Sequence, residues 1–175
     1  MKKVLSGLIS ATLLMASAAQ ATDMAANIAI SGTLRPAEFS CSVALSESSV
    51  SILENSDTLI KQGDNATSPV IVRASVYGGA ECDKLVEEGK IAYKFTGAAD
   101  DADGTVLTNS LNDETAAKGV GIGIFNEQNE LVPVNTGRIS AQGGGTFGLQ
   151  MVQLKNQEAV AGNINSTVTV QIERL

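Results

Sequence analysis

The 175-residue sequence contains no histidine and no tryptophan and carries 19 acidic against 12 basic residues, a formal net charge of −7. Lack of histidine removes the commonest general base and the commonest metal ligand, and with them the usual parts of hydrolytic and zinc chemistry. The acidic balance, with four phenylalanines and two tyrosines, excludes nucleic acid as a partner: no basic stripe neutralises phosphates and few rings are present to stack bases.

In chain order, Met1, Lys2 and Lys3 form a basic n-region, residues 4–15 an apolar h-region, and Ala19, Gln20 and Ala21 a small-x-small cleavage site. This is the pattern of a secretory signal peptide over 1–21. The apolar run is shorter than the roughly 20 residues a bilayer requires, and Ser and Thr interrupt it, which separates it from a membrane anchor. Cleavage after Ala21 removes two lysines and no acids, so the mature chain is more acidic still, and its length suits one domain with a real core. Two cysteines, Cys41 and Cys82, in an exported chain read as one disulfide. No histidine or close second cysteine supports a metal or reactive pair. In the entropic model, closing that loop constrains the unfolded chain by roughly 4 kcal/mol.

Both ends of the mature chain alternate with the period of a half-buried strand. Met24, Ala26, Ile28 and Ile30 share one face of the first, and Val168, Val170 and Ile172 share one face of the last. Neither stretch offers a catalytic side chain, so both are read as strands that pair with strands of other protein molecules. Alternating runs over 28–34, 50–53, 69–76, 90–95, 119–125, 131–134, 147–154 and 166–172 are separated by turn formers such as Gly78-Gly79 and Gly143-Gly144-Gly145. Eight short strands at this spacing predict an all-β sandwich, with a single helical turn over 82–88.

Three local patterns are read as structural. Asp100, Asp101, Asp103 and Gly104 match part of a calcium loop, but Ser110 stands where its glutamate belongs, so the stretch is read as a solvated acidic turn. Gly119, Gly121 and Gly123 alternate with Val120, Ile122 and Ile124, a strand packed closely on one face and not a nucleotide loop. Asn65-Ala66-Thr67 and Asn165-Ser166-Thr167 match the glycosylation pattern and are taken as incidental. A nucleophilic serine has no histidine as its base, and the chain is read as no enzyme, with neither metal nor cofactor.

Taken in order, Gly32-Thr33-Leu34 before Cys41, Val70-Ile71-Val72 before Cys82, the run from Ile91 to Gly97, the glycine-alternating run from Ala117 to Phe125, and the run from Ala161 to Val170 carry a resemblance over essentially the whole mature chain. The sequence resembles the pilin subunit family of chaperone–usher fimbriae, type 1 major fimbrial subunits in particular. That resemblance implies an incomplete immunoglobulin-like β-sandwich lacking its last strand, with an N-terminal donor extension at 22–30 and a pilin domain at 31–175. It makes Met24, Ala26, Ile28 and Ile30 the donor side chains. It makes Val168, Val170 and Ile172 the groove-lining strand that pairs with a chaperone. The implied partners are other fimbrial subunits in a homopolymer, a periplasmic chaperone and an outer-membrane usher. The implied destination, through the periplasm, is a surface fimbrium supporting adhesion. Two positions depart from the family pattern: Arg174 replaces a penultimate aromatic, and Ala26 replaces a glycine. The alternatives are a minor or adaptor fimbrial subunit, and a self-complete secreted β-sandwich that binds carbohydrate.

Overall fold

Alternating apolar residues build strands here, and they do so as two facing sheets. A computed structural model describes residues 31–34 and 39–175. The chain divides into two compact units, Met1–Pro36 and Ala37–Leu175. Within the first, residues 31–34 have no regular secondary structure; the predicted signal peptide and the donor positions Met24, Ala26, Ile28 and Ile30 lie outside the described residues.

The second unit contains β1 (Ser42–Leu45), β2 (Ile60–Lys61), β3 (Val70–Tyr77), α1 (Ala80–Glu87), β4 (Ile91–Gly97), β5 (Leu107–Thr108), β6 (Val120–Phe125), β7 (Arg138–Ser140), β8 (Gly145–Gln153) and β9 (Val168–Arg174). One sheet runs β1-β3-β8-β6-β5, with β2 joined in parallel to β8; the other runs β7-β4-β9. The chain is therefore the all-β sandwich expected, with one short helix.

Inward positions of the two sheets meet in a single core. Val72, Ala74, Phe147, Leu149, Ile122, Ile124 and Leu107 come from the larger sheet, and Ile91, Tyr93, Phe95 and Val170 from the smaller. Phe95 and Phe147 meet across the sandwich edge to face, with ring centroids 5.0 Å apart. In β6 every residue is buried. Ile122 and Ile124 point to this core, while Gly121 lets Val106 and the Leu107 carbonyl approach to where a Cβ would stand 2.8 Å away from each. That opposite face carries a second cluster of Ala66, Val106, Phe125, Val152 and Leu154, covered by loops.

Several local expectations are corrected. Residues 50–53 form no strand, since no neighbour supplies a ladder, and 131–134 contribute only an isolated bridge between Leu131 and Phe125. The helix begins at Ala80 and is longer than one turn, with Glu81 and Asp83 favourably placed in its first turn. The acidic turn is not solvated at Asp100, which is 6% exposed. Its carboxylate accepts from the amides of Ala102 at 2.8 Å, Asp103 at 3.0 Å and Val106 at 3.0 Å, and from Gln62 Nε2 at 3.0 Å. Burial alone would raise its pKa, but these donors outweigh it and hold the carboxyl below the ordinary range.

Cys41 and Cys82 are bonded, with their Cα atoms 5.7 Å apart, so the lead into β1 is tied to α1. Gly78 makes that approach possible. Its φ is +148°, and a Cβ there would sit 2.5 Å from the Ser40 carbonyl and 2.6 Å from Cys82 Sγ. Gly78→Ala is expected to cost about 1–3 kcal/mol of stability, read by urea unfolding of the mature chain, and to leave a larger fraction of Cys41 and Cys82 open to thiol alkylation. An alanine variant with unchanged midpoint and oxidation would refute this account of Gly78.

Candidate functional site

β9 pairs with β4 along its whole length, from Val168 opposite Gly97 to Arg174 opposite Ile91. Its other edge has no strand partner among the described residues. Because main-chain polar groups alternate sides along a strand, about half of those in β9 face that open edge. Across the gap, β1 is the edge of the larger sheet. Its ladder is prolonged by the Ser46 amide, which donates to the Arg73 carbonyl at 2.8 Å. After that the chain leaves the sheet, and residues 47–54 make no hydrogen bond among the described residues.

Between these edges lies a groove of about 510 Å³. Its floor is the apolar core itself: Val72, Leu107, Ile122, Phe147 and Leu149. One wall is Leu45 with residues 47–52, from which Val50 and Ile52 turn inward against the core while Ser49 and Ser51 stay exposed. The other wall is the stretch from Ile164 to Val168 that leads into β9. No cluster of His, Cys, Asp or Glu able to hold a metal occurs among the described residues. An open-edged groove with an apolar floor and polar walls suits an extended chain, which can supply both the missing ladder and side chains for the floor.

Of the sequence-predicted site residues, Val168 lines the groove, Val170 is buried in the core, and Ile172 is half-buried against it. The three share one face, as their alternation requires. Sequence reasoning missed the floor. Leu107 lies in a two-residue strand, and Ile122, Phe147 and Leu149 looked like ordinary core positions. The wall at 47–52 did carry a signal, since Val50 and Ile52 alternate with serines, but the same signal also predicts a paired strand. At the far end of β9, the Arg174 guanidinium stands 4.7 Å from the centre of the Phe39 ring, and Nη2 donates to the Phe39 carbonyl at 3.3 Å. Arg174 thus ties the last strand to the segment that enters β1.

Residues 28–173 match the family model described as "Fimbrial protein". The chain belongs to the fimbrial protein family. This is the pilin subunit family of chaperone–usher fimbriae that the sequence resembles. A 59-residue stretch is 42% identical to long polar fimbria protein A of Salmonella typhimurium strain LT2, covering 33% of this chain and 32% of that relative. The matched stretch thus spans about a third of the relative's length. The crystal structure of the P pilus rod subunit PapA aligns with a TM-score of 0.48 at 13% identity, over 76% of this chain and 91% of that one.

In this fimbrial subunit the open-edged strand is secured from its outer face. Glu173 of β9 reaches over Ala92 of β4 to Arg138 of β7, with Arg138 Nη2 2.7 Å from Glu173 Oε1 and Lys94 Nζ 3.9 Å from Oε2. The hydrogen bond from Arg138 is the largest influence on the Glu173 carboxyl and, with the charges of Arg138 and Lys94, holds its pKa below the ordinary range against a smaller opposing effect of burial. A carboxyl whose pKa is lower folded than unfolded adds stability above the unfolded value and loses it as pH falls through the folded one. Stability is therefore expected to fall as acid titrates Glu173, from about pH 4 downward. Glu173→Gln should show a shallower loss over that interval in urea midpoints recorded against pH. Identical slopes for the two proteins would show that Glu173 contributes nothing to acid sensitivity.

Proposed function

We propose that this chain is a polymer-forming fimbrial subunit whose groove is filled by an extended strand from another protein molecule. A periplasmic chaperone supplies that strand first, and the N-terminal extension of the next subunit supplies it in the fibre. The observation that carries the reading is the coincidence of an unpaired β9 edge with an apolar floor beneath it. An open ladder edge beside a groove floored by core side chains would aggregate in a free subunit, so a partner is required at each stage. Inserting a strand satisfies both at once: its main chain completes the β9 edge, and its alternate side chains cover the floor.

In this scheme residues 1–21 direct export and are removed, residues 22–30 are the donor extension, and the domain that follows is the acceptor. Met24, Ala26, Ile28 and Ile30 face the floor of the neighbouring groove. Each large side chain among them contributes about 1.5–3 kcal/mol when moved from water to an apolar site. The usher receives chaperone-bound subunits and passes the growing homopolymer to the cell surface, where it supports adhesion. Val168, Val170 and Ile172 hold the acceptor edge in place for both donors.

The test is polymerisation of the mature chain purified from a periplasm, beside a version lacking 22–30. SDS-resistant ladders from the full chain and none from the truncated one are the expected outcome. Stable, folded monomers from both, with no chaperone present, would replace this reading with a self-complete sandwich. Ile28→Asp and Ile30→Asp are expected to retain chaperone binding in co-purification and to form no fibres, since each forces a carboxylate into an apolar slot at a cost of several kcal/mol. Normal fibres from either variant would remove that residue from the donor face.

A further inference from the structure

The groove walls are held very differently. Asn163 is bridged to Ala116, its amide donating to the Thr115 carbonyl at 2.7 Å and its carbonyl accepting from the Ala117 amide at 2.8 Å; residues 164–167 belong to no ladder and are fixed to the end of β5 largely through side chains. Asn109, half-buried and two residues beyond the floor residue Leu107, uses its whole hydrogen-bonding capacity there. Its Oδ1 accepts from the amides of Asn165 at 3.0 Å and Leu111 at 3.1 Å. Its Nδ2 donates to the carbonyls of Asn163 at 2.9 Å and Ala117 at 3.0 Å. Ser110 adds two bonds to the Asn165 carbonyl, from its amide at 2.8 Å and its hydroxyl at 2.9 Å, and the Ser166 hydroxyl donates to the Thr108 carbonyl. β5 belongs to the larger sheet, and 163–167 lead into β9 of the smaller.

We infer that Asn109 is a positioning residue for strand acceptance: it ties the two sheets at this end of the sandwich and fixes the wall that an incoming strand meets. The inference rests on the strand-acceptor reading. The carboxamide fits because its two ends oppose different partners, amides on one side and carbonyls on the other. Asparagine at this place satisfies both, and an aspartate of the same shape would set a carboxylate oxygen against the carbonyls of Asn163 and Ala117. Without the tie, the Asn165 amide has no other partner among the described residues, and 164–167 are held only by the bonds of Ser110 and Ser166.

The experiment uses the full mature chain carrying Asn109→Asp, with Asn126→Asp as a control. Asn126 accepts from the amides of Gln128 and Glu130 and donates to the Glu130 carboxylate, in a turn whose residues do not line the groove. Repulsion between the carboxylate and the Asn163 and Ala117 carbonyls should withdraw the acceptor from the Asn165 amide, whose exchange should accelerate about tenfold or more in Asn109→Asp, while the Asn163 amide, bonded to the Thr115 carbonyl, should change less. Exchange in β6 and β8 should stay as in the unaltered chain, and SDS-resistant ladders should grow more slowly by a similar factor. Should Asn109→Asp fail to fold, Ser110→Ala removes one bond to the same wall and is expected to shift both readouts the same way by less. Unchanged wall exchange and ladder growth, or equal changes in Asn126→Asp, would overturn the inference. If the unaltered chain forms no ladders, the strand-donation reading falls, and wall-selective exchange alone then decides whether Asn109 is the tie.

Discussion

Among the described residues β9 has a strand partner on one side only, and much of the molecule can be understood as a response to that. A strand bonded along a single edge keeps its place by what its faces touch. Inward, Val170 is buried among core residues of both sheets, with Val168 and Ile172 packed beside it. Outward, Glu173 is held by Arg138 across the width of β4. At its end, Arg174 lies on the Phe39 ring, and at its beginning the Asn109 carboxamide holds the stretch that leads into it. Four different contacts do what a second neighbouring strand would do in a complete sheet. The open edge stays available because none of these contacts uses it.

Side-chain amides repeatedly take the place of missing backbone partners elsewhere as well. Beyond the end of β7, Asn135 exchanges two bonds with the main chain of Gly97, at 3.1 Å each, and so prolongs β4's pairing with a side chain. Gln150, 2% exposed, accepts from the amides of Thr67 and Ser68 as the chain turns into β3. Gln62, 4% exposed, links the Asp100 loop to the Lys155 amide. Short strands leave many main-chain groups at their ends unpaired, and a buried amide or carbonyl without a partner costs about 1–3 kcal/mol. Neutral amides meet that need with both donors and acceptors, and they bring no charge into the interior.

These amides also explain the limit of what the sequence disclosed. The long strands were legible because Val72 and Ala74, or Ile122 and Ile124, repeat with the pleat, and the paired cysteines fitted an exported chain. β5, β2 and β7 were not legible: two or three residues show no period, and each exists because a neighbouring strand is there to bond it. Residues 50–53 show the converse. Val50 and Ile52 alternate as a strand should, but periodicity reports which face is buried and says nothing of whether a partner is present. The groove arises from that missing information. Its floor was hidden for a related reason, since Leu107, Phe147 and Leu149 line a slot with the same apolar residues that would fill a closed core. Asp100 was misread because its four donors come from its own loop and from Gln62, 38 residues away.

The unequal walls bear on how a strand could be accepted in one register. A slip of one residue turns every side chain of an inserted strand to the opposite face, so an acceptor must present at least one edge at a fixed height and spacing. The wall leading into β9 meets that condition, tied to β5 at 163–166 and to β4 from Val168 onward. The wall at 47–54 carries no such ties among the described residues, yet Val50 and Ile52 rest on the core. It is held by packing, and no bond of the ladder opposite depends on it. Register is therefore set from one wall, by hydrogen bonds, while the other meets an inserted strand through Val50 and Ile52.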